Sequence, residues 1–277
     1  MKKLSETLED MVSSRAPKED EYINEADGLI YCAKCRTPRQ HRFEIMSKVM
    51  TPFIMCQCQK EAYDKEQEEQ ARRDFLAKVS RMKSSGLQDK ALYDYRFEND
   101  LGYNPELRHA HTYVERWADM KTENTGLLLW GDVGTGKSFF AGCIANALLE
   151  QCVPVLMTNF AKILNALSGM YAEDRNAYID SLNRYSLLII DDLGAERSSE
   201  FAQEQVFHVI DSRYRSGKPL IVTTNLTLDE LKNTEDTAKR RIYDRILERC
   251  VPIKINNQNI RQKNAQEQLK RAKELFS

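Results

Sequence analysis

The sequence has no apolar run long enough to cross a bilayer. Its longest uninterrupted aliphatic stretch is Leu187–Ile190, against the roughly 18 residues that a spanning helix needs. It also has no apolar segment behind its first lysines: MKKLSETLEDM passes directly to acids. That pattern excludes a cleaved secretion signal and leads to the expectation of a cytoplasmic protein. Seven cysteines are an odd count, and with no export route they argue against a disulfide framework and for thiols that are buried or hold a metal. No internal repeat and no low-complexity tract is present. Glycine is scarce, with 11 residues in 277, so any clustering of glycine carries information.

What is present begins with length. At about 150 residues per domain the chain suits two domains, enough for an enzyme core. The net charge of −1 hides an uneven distribution, because the segment from Ala238 to the end is strongly basic. Such a tail suits phosphate as a partner, and a solvated Lys- and Arg-rich helical face would look the same.

The pattern divides the chain into three. Residues 1–60 hold a polar, acidic start with a short helix and then a small β-rich knuckle with two cysteine pairs. Residues 61–86 read as one highly charged linker helix, with Phe75, Leu76, Val79 and Met82 at helical spacing and Gly86 as its stop. From residue 87 to 277, short apolar runs alternate with amphipathic segments. Strands are predicted at Gly126–Trp130, Val153–Met157, Leu187–Asp191, Leu220–Thr224 and Val251–Ile255. Helices are predicted at Ser138–Gln151, Phe160–Leu167, Tyr171–Asn183, Glu200–Arg215 and Ala238–Arg249. Strands alternating with helices call for an α/β fold with a five-stranded parallel sheet covered on both faces.

The strongest chemical signal is GDVGTGKS, comprising Gly131, Asp132, Val133, Gly134, Thr135, Gly136, Lys137 and Ser138. It fits the G-x-x-x-x-G-K-[ST] phosphate loop at a predicted strand-to-helix junction. Glycines there let successive backbone N–H groups face an anion, and the following helix offers its positive end to the same place. Lys137 would reach the outer phosphates and Ser138 would ligate Mg2+. The apolar run LLII ends in Asp191 and Asp192, two acids that a buried strand tip disfavours unless a cation relieves their desolvation. Asp191 is the expected magnesium-side carboxylate and Asp192 the group that polarises the attacking water. Asn225, at the tip of the next strand, suits contact with the terminal phosphate or the water. Arg241, Arg245 and Arg249 form an i, i+4 row beside Asp244 and Glu248, either a salt-laced exposed face or a source of guanidinium for a neighbouring subunit.

Cys32-x2-Cys35 and Cys56-x-Cys58 place four thiols within 27 residues, a pattern for tetrahedral Zn2+. His41 is an alternative ligand. A region this small has little apolar surface, and structural zinc in comparable peptides supplies roughly 10–16 kcal/mol.

Taken together, the Gly131–Ser138 loop, Leu187–Asp192, Asn225 and the R-x-x-D-R box at Arg241–Arg245 resemble the AAA+ P-loop ATPases. Within these the series is similar to replicative helicase loaders of the DnaC/DnaI type, over about Leu92 to Lys263. The resemblance implies slow ATP hydrolysis and self-association through the ATPase domain. It also implies binding of a hexameric DnaB-type helicase through the N-terminal region, and delivery of that helicase onto single-stranded DNA. It makes Arg245 the finger acting on a neighbour's nucleotide and Arg261 the arginine sensing the γ-phosphate in cis. It makes Ser199 and Phe201 candidate single-strand contacts. Asp192 stands where most AAA+ ATPases carry Glu. A transposition-helper ATPase of the IstB type shares the same core and is the rival within enzymes, although the cysteine knuckle is not expected of it. A zinc-containing adaptor using its nucleotide site as a switch is the rival from another class.

Overall fold

The structure is a computed structural model that describes residues 15–45, 48–102, 104–195, 199–257 and 259–276. The short helix expected at the start of the chain lies outside the described residues. The chain divides into two compact units, Met1–Leu76 and Ala77–Ser277.

The first unit has few apolar residues to bury, and it uses polar bonding instead. Strands β1 (Glu21–Ile23) and β2 (Ile30–Cys32) pair antiparallel, as do β3 (Phe43–Ile45) and β4 (Lys48–Met50). The Glu21 carboxylate is fully buried between Arg15 at 2.7 Å and Arg39 at 3.2 Å. The hydrogen bond from Arg15 holds that carboxyl down to about 2. Helix α1 (Gln57–Gly86) starts four residues before the predicted 61–86 run and takes Cys58 into its first turn. Phe75 and Leu76 are exposed, while Val79 is buried.

In the second unit five apolar runs form one parallel sheet. The strands are β5 (Gly126–Trp130), β6 (Val155–Asn159), β7 (Leu187–Leu193), β8 (Leu220–Thr224) and β9 (Cys250–Lys254), in the spatial order β6-β7-β8-β5-β9. Alternation along each strand feeds two cores. Leu127, Leu129, Leu187, Ile189 and Ile221 face one side, and Leu128, Leu188, Ile190 and Val222 face the other. The first core is closed by α2 (Leu107–Glu115), α3 (Trp117–Thr122) and α4 (Lys137–Glu150). The second is closed by α5 (Phe160–Ser168), α6 (Ala172–Leu182), α7 (Glu200–Arg215), α8 (Leu228–Lys232) and α9 (Thr237–Arg249). Near-complete burial on both faces is what a parallel sheet demands, and it explains why β5, β6, β8 and the start of β7 read as solid apolar runs, whereas the edge strand β9 is largely exposed. A last helix, α10, spans Ile260–Phe276.

Three strands differ from the sequence reading: β7 runs on to Leu193, and β6 and β9 are shifted, each for a local reason. Strand β6 begins at Val155 instead of Val153, because Val153 N–H closes α4 on Leu148 O at 2.9 Å while Cys152 N–H bonds Leu149 O at 3.0 Å. Cys152 has φ 58°, so this helix end uses the left-handed geometry that glycine usually signals. Strand β9 lies one residue earlier than predicted, and Ile255 becomes a buried residue whose N–H bonds Trp130 O. At the opposite edge, a parallel bridge joins Leu87 to Met157. A Cβ on Gly86 would meet Val155 O at 2.2 Å, so only glycine permits this cover for the β6 edge.

Arg213 is 1% exposed and donates to Tyr185 O, Ser186 O and Pro219 O at 2.6–3.1 Å. It ties α7 to the turns that launch β7 and β8. Burial lowers its guanidinium to about 10, so it stays charged at neutral pH. Arg213→Met leaves three carbonyls without their donor and is expected to lower stability by about 3 kcal/mol. A urea unfolding curve checks this, and an unchanged midpoint would contradict the clamp.

Candidate functional site: a phosphate-loop cleft

The cradle grows out of the end of β5. Gly131, Gly134 and Gly136 have φ of 141°, 82° and 97°, backbone that side chains resist and glycine adopts freely. Gly134 also lies where a Cβ would meet Asn259 Oδ1 at 2.2 Å. Thr135 Oγ1 donates to Asp132 O at 2.9 Å, and Asn257 Nδ2 donates to Thr135 O at 3.2 Å. Lys137 opens α4, is buried, and donates through Nζ to Gly131 O at 2.8 Å and Asp132 O at 2.7 Å. The loop thus carries its own cation, held at its mouth by two carbonyls.

The acidic strand meets the cradle through hydroxyls. Ser138 Oγ donates to Asp191 Oδ1 at 2.9 Å, and Thr223 Oγ1 donates to the same oxygen at 2.6 Å. Thr223 Oγ1 also accepts from the Asp192 N–H at 2.9 Å. Strand order makes this possible, because β8 lies between β7 and β5. The register of β7 against β8 shifts between Ile190 and Leu193, so Asp191 and Asp192 together oppose Thr223. Such a bulge re-aims side chains that would alternate in a regular strand. Asp192 takes φ 59°, a conformation that a non-glycine residue rarely holds. Burial pushes the Asp191 carboxyl above its ordinary 3.8, against the Thr223 and Ser138 hydrogen bonds that favour its charged form.

A cavity of about 340 Å³ joins these parts. Gly134, Gly136, Lys137, Ser138, Asp192 and Asn225 line it at the cradle, and Tyr95, Asn99, Asp100, Leu101, Asn104, Val133 and Phe139 line the remainder. The leading segment is held there by Asn146 of α4, whose Nδ2 donates to Leu92 O at 2.8 Å and Tyr95 O at 2.9 Å. Gly142, one turn earlier, makes room: a Cβ would meet the Tyr95 side chain at 2.6 Å. Tyr95 and Asn104 were not among the site residues that sequence reasoning selects. An Asn four residues after a Gly on one helix face was the available signal, but it has meaning only once the partner segment is known.

Of the remaining predicted residues, Arg245, Ser199 and Phe201 lie elsewhere. Arg245 is not brought to the cradle of its own chain. Its Nε donates to Asp211 Oδ1 at 2.9 Å, and its guanidinium stacks over Phe207 and Tyr214 at 4.9 and 5.8 Å from the ring centroids. Asp211 is shared with Arg215. Ser199 caps α7, its Oγ accepting from Ala202 N–H at 3.2 Å. Phe201 packs against the second core with Arg175 over its ring at 5.4 Å. Arg261 belongs to the first turn of α10, and its side chain lies outside the described residues.

In the first unit the sulfurs of Cys32, Cys35, Cys56 and Cys58 all lie within 4.8 Å of one another. Cys32 Sγ is 3.7 Å and Cys56 Sγ 3.4 Å from Cys58 Sγ. Sulfurs at about 2.3 Å from a tetrahedral zinc lie roughly 3.8 Å apart, so the donor set fits. Thr37 Oγ1 at 3.1 Å holds the Cys35 thiol low, at about 5. His41 is not part of the group; it is exposed and stacks on Phe43 at 6.2 Å.

A family model described as IstB-like ATP binding protein matches residues 53–268. The replicative helicase loader DnaI of Bacillus subtilis is 29% identical over 150 residues, 49% of this chain and 47% of that protein. The replicative helicase loader DnaC of Escherichia coli is 26% identical over 147 residues, 52% of this chain and 58% of that protein. The phage-like element PBSX protein XkdC of Bacillus subtilis is 28% identical over 149 residues, 51% of this chain and 56% of that protein. The chain therefore spans about half the length of these curated relatives. Among solved structures, that of DnaI superposes with a TM-score of 0.53 at 23% identity, over 65% of this chain and 98% of that one. The DnaC helicase loader superposes with 0.51 at 21% identity, over 61% of this chain and all of that one. These likenesses show the α/β fold expected from the sequence.

Because the folded Asp191 carboxyl titrates above its unfolded value, the folded state holds its proton over a window where the unfolded state has lost it. Stability then falls as pH rises from 3.8 through the raised value. Asp191→Asn removes this term, so its thermal midpoint is expected to exceed that of the wild type at neutral pH and to converge with it in acid. A wild-type advantage at neutral pH in metal-free, nucleotide-free buffer would contradict the assignment.

Proposed function

The chain belongs to the IstB-like ATP-binding proteins, and from that membership we propose that it binds and slowly hydrolyses ATP in the phosphate-loop cleft. We further propose that it uses this cycle to load a replicative helicase. The observation that carries the catalytic reading is the Ser138–Asp191–Thr223 bridge, which joins the cradle to the acidic strand across the strand tip that carries Asn225.

Lys137 exchanges its two loop carbonyls for oxygens of the outer phosphates, a stronger charge-assisted bond. Ser138 would ligate Mg2+ and Asp191 would act in its outer sphere, and the ion would supply neutralisation of phosphate charge. Asp192 and Asn225, both exposed at the cavity, orient the water whose oxygen bonds the terminal phosphorus as the bridging P–O bond to ADP breaks. Asp192 is one methylene shorter than Glu, which favours slow turnover. Arg245 supplies its guanidinium to the nucleotide of a neighbouring copy, after exchanging Asp211 for phosphate oxygens. Arg261 senses the γ-phosphate in cis.

The partners are proposed from two lines of support. Relatives bearing the name replicative helicase loader match about half of this chain. The four-thiol cluster, proposed to hold one structural Zn2+, belongs to the first unit, with Cys32 and Cys35 ahead of the family match and Cys56 and Cys58 just inside it; resemblance puts contact with a hexameric DnaB-type helicase in this N-terminal region. Single-stranded DNA is the proposed cargo track, with Ser199 and Phe201 as contacts because they follow the acidic strand and an aromatic ring can stack on a base. The family description also names IstB, so a transposition helper is the competing reading.

Lys137→Ala is expected to abolish ATP binding in calorimetric titration. Arg245→Ala is expected to keep ATP affinity and lose the hydrolysis that depends on assembly; unchanged turnover rejects the finger. Metal analysis should find about one zinc per chain, and less than half of that defeats the knuckle. Size-exclusion with a hexameric replicative helicase, with and without ATP and single-stranded DNA, should yield a complex. If none forms under any condition, the transposition helper takes precedence.

A further inference from the structure

Asn104 sits just ahead of α2, is 5% exposed, and lines the cavity that contains the cradle. Neither its Oδ1 nor its Nδ2 has a hydrogen-bond partner among the described residues. A buried carboxamide with both ends unpaired is costly, because each group has lost water and gained nothing. Asn146 on the neighbouring helix is half satisfied by comparison: its Nδ2 serves three carbonyls, and only its Oδ1 has no partner among the described residues. Asn104 has no such use among the described residues, and it borders the cavity.

The surroundings restrict what could fill that space. Tyr95, Leu101, Val133 and Phe139 give this part of the cavity aromatic and aliphatic walls, suited to a flat ring. The cradle glycines and Lys137 line the same cavity, so a ring here belongs to a ligand that carries phosphates. A carboxamide presents one acceptor and one donor in a plane. Adenine offers the complement, an exocyclic amino group beside a bare ring nitrogen, the pairing by which Asn reads adenine in nucleic acids.

We propose that Asn104 is the base-reading residue of this site, its Oδ1 accepting from the adenine 6-amino group and its Nδ2 donating to the adjacent ring nitrogen. This rests on the ATP reading above and extends it from the triphosphate to the base. The unpaired carboxamide is thereby a binding group kept at the expense of stability in the empty state.

The test compares ATP with purine riboside triphosphate, which lacks only the 6-amino group, by calorimetric titration of the full chain. The wild type is expected to prefer ATP about tenfold. Asn104→Leu, of similar volume, is expected to lose about tenfold or more in ATP affinity and to bind the two nucleotides alike. Its nucleotide-free melting temperature should equal or exceed that of the wild type, since two unpaired polar groups are gone. Asn104→Asp keeps the acceptor and loses the donor, so it should still prefer ATP to purine riboside triphosphate but no longer distinguish ATP from both its 7-deaza and 1-deaza analogues. A wild type indifferent to the 6-amino group overturns the proposal whatever the variants do. So does an Asn104→Leu protein that keeps the preference. Triphosphate binding that depends on Lys137 but ignores the base sinks the base reading alone, whereas a wild type that binds no nucleotide sinks the ATP reading with it.

Discussion

A half-buried carboxylate at the tip of an apolar strand is the constraint around which the second unit is organised. Asp191 follows four fully buried aliphatic residues, and burial raises its pKa. Two hydroxyls answer it, one from the phosphate loop and one from the strand lying between loop and acid. Three sheet strands must therefore end at one level and in one order for the site to exist. The clamp by Arg213 at the opposite ends of β7 and β8 serves the same requirement, because it fixes where those strands begin.

Several charged groups that the proposed chemistry needs are occupied within the chain. Lys137 bonds loop carbonyls, and Arg245 bonds Asp211 between two aromatic rings. Each arrangement gives a cation a partner without fixing it irreversibly, so a ligand or a neighbouring copy has to compete for it. Asn104 differs in kind: its carboxamide has no partner among the described residues. The cleft thus combines a lysine that must give up its loop carbonyls to a ligand with an asparagine that has only bonds to gain. The first unit follows separate physics. With little apolar surface, it relies on a buried ion pair and on four sulfurs at spacings that suit a tetrahedral metal.

Much of this was legible in order along the chain. Parallel strands buried on both faces are written as solid apolar runs, and Gly126–Trp130 and Leu220–Thr224 appear with the predicted bounds. The phosphate loop is legible because positive-φ backbone needs glycine in a chain that has few. The cysteine pairs are legible because chelation needs close spacing. Less legible were boundaries governed by unusual backbone. Cys152 closes a helix in a conformation that its side chain does not advertise, which moved the start of β6 by two residues. His41 was an open alternative by residue type, and the folded knuckle sets it apart on Phe43.

Sequence by itself determined the chemistry available: a glycine turn, a lysine, two acids, an asparagine and four thiols, each encoded by local spacing. Tertiary structure alone decided which of them meet. The bulge that sets Asp191 and Asp192 together against Thr223 depends on strands 31 or more residues apart, and Gly142 admits Tyr95 only because a distant segment folds onto its helix. Local periodicity records which face of an element is apolar. It holds no record of which partner that face will find, and the cavity walls, Asn104 among them, are made by that choice.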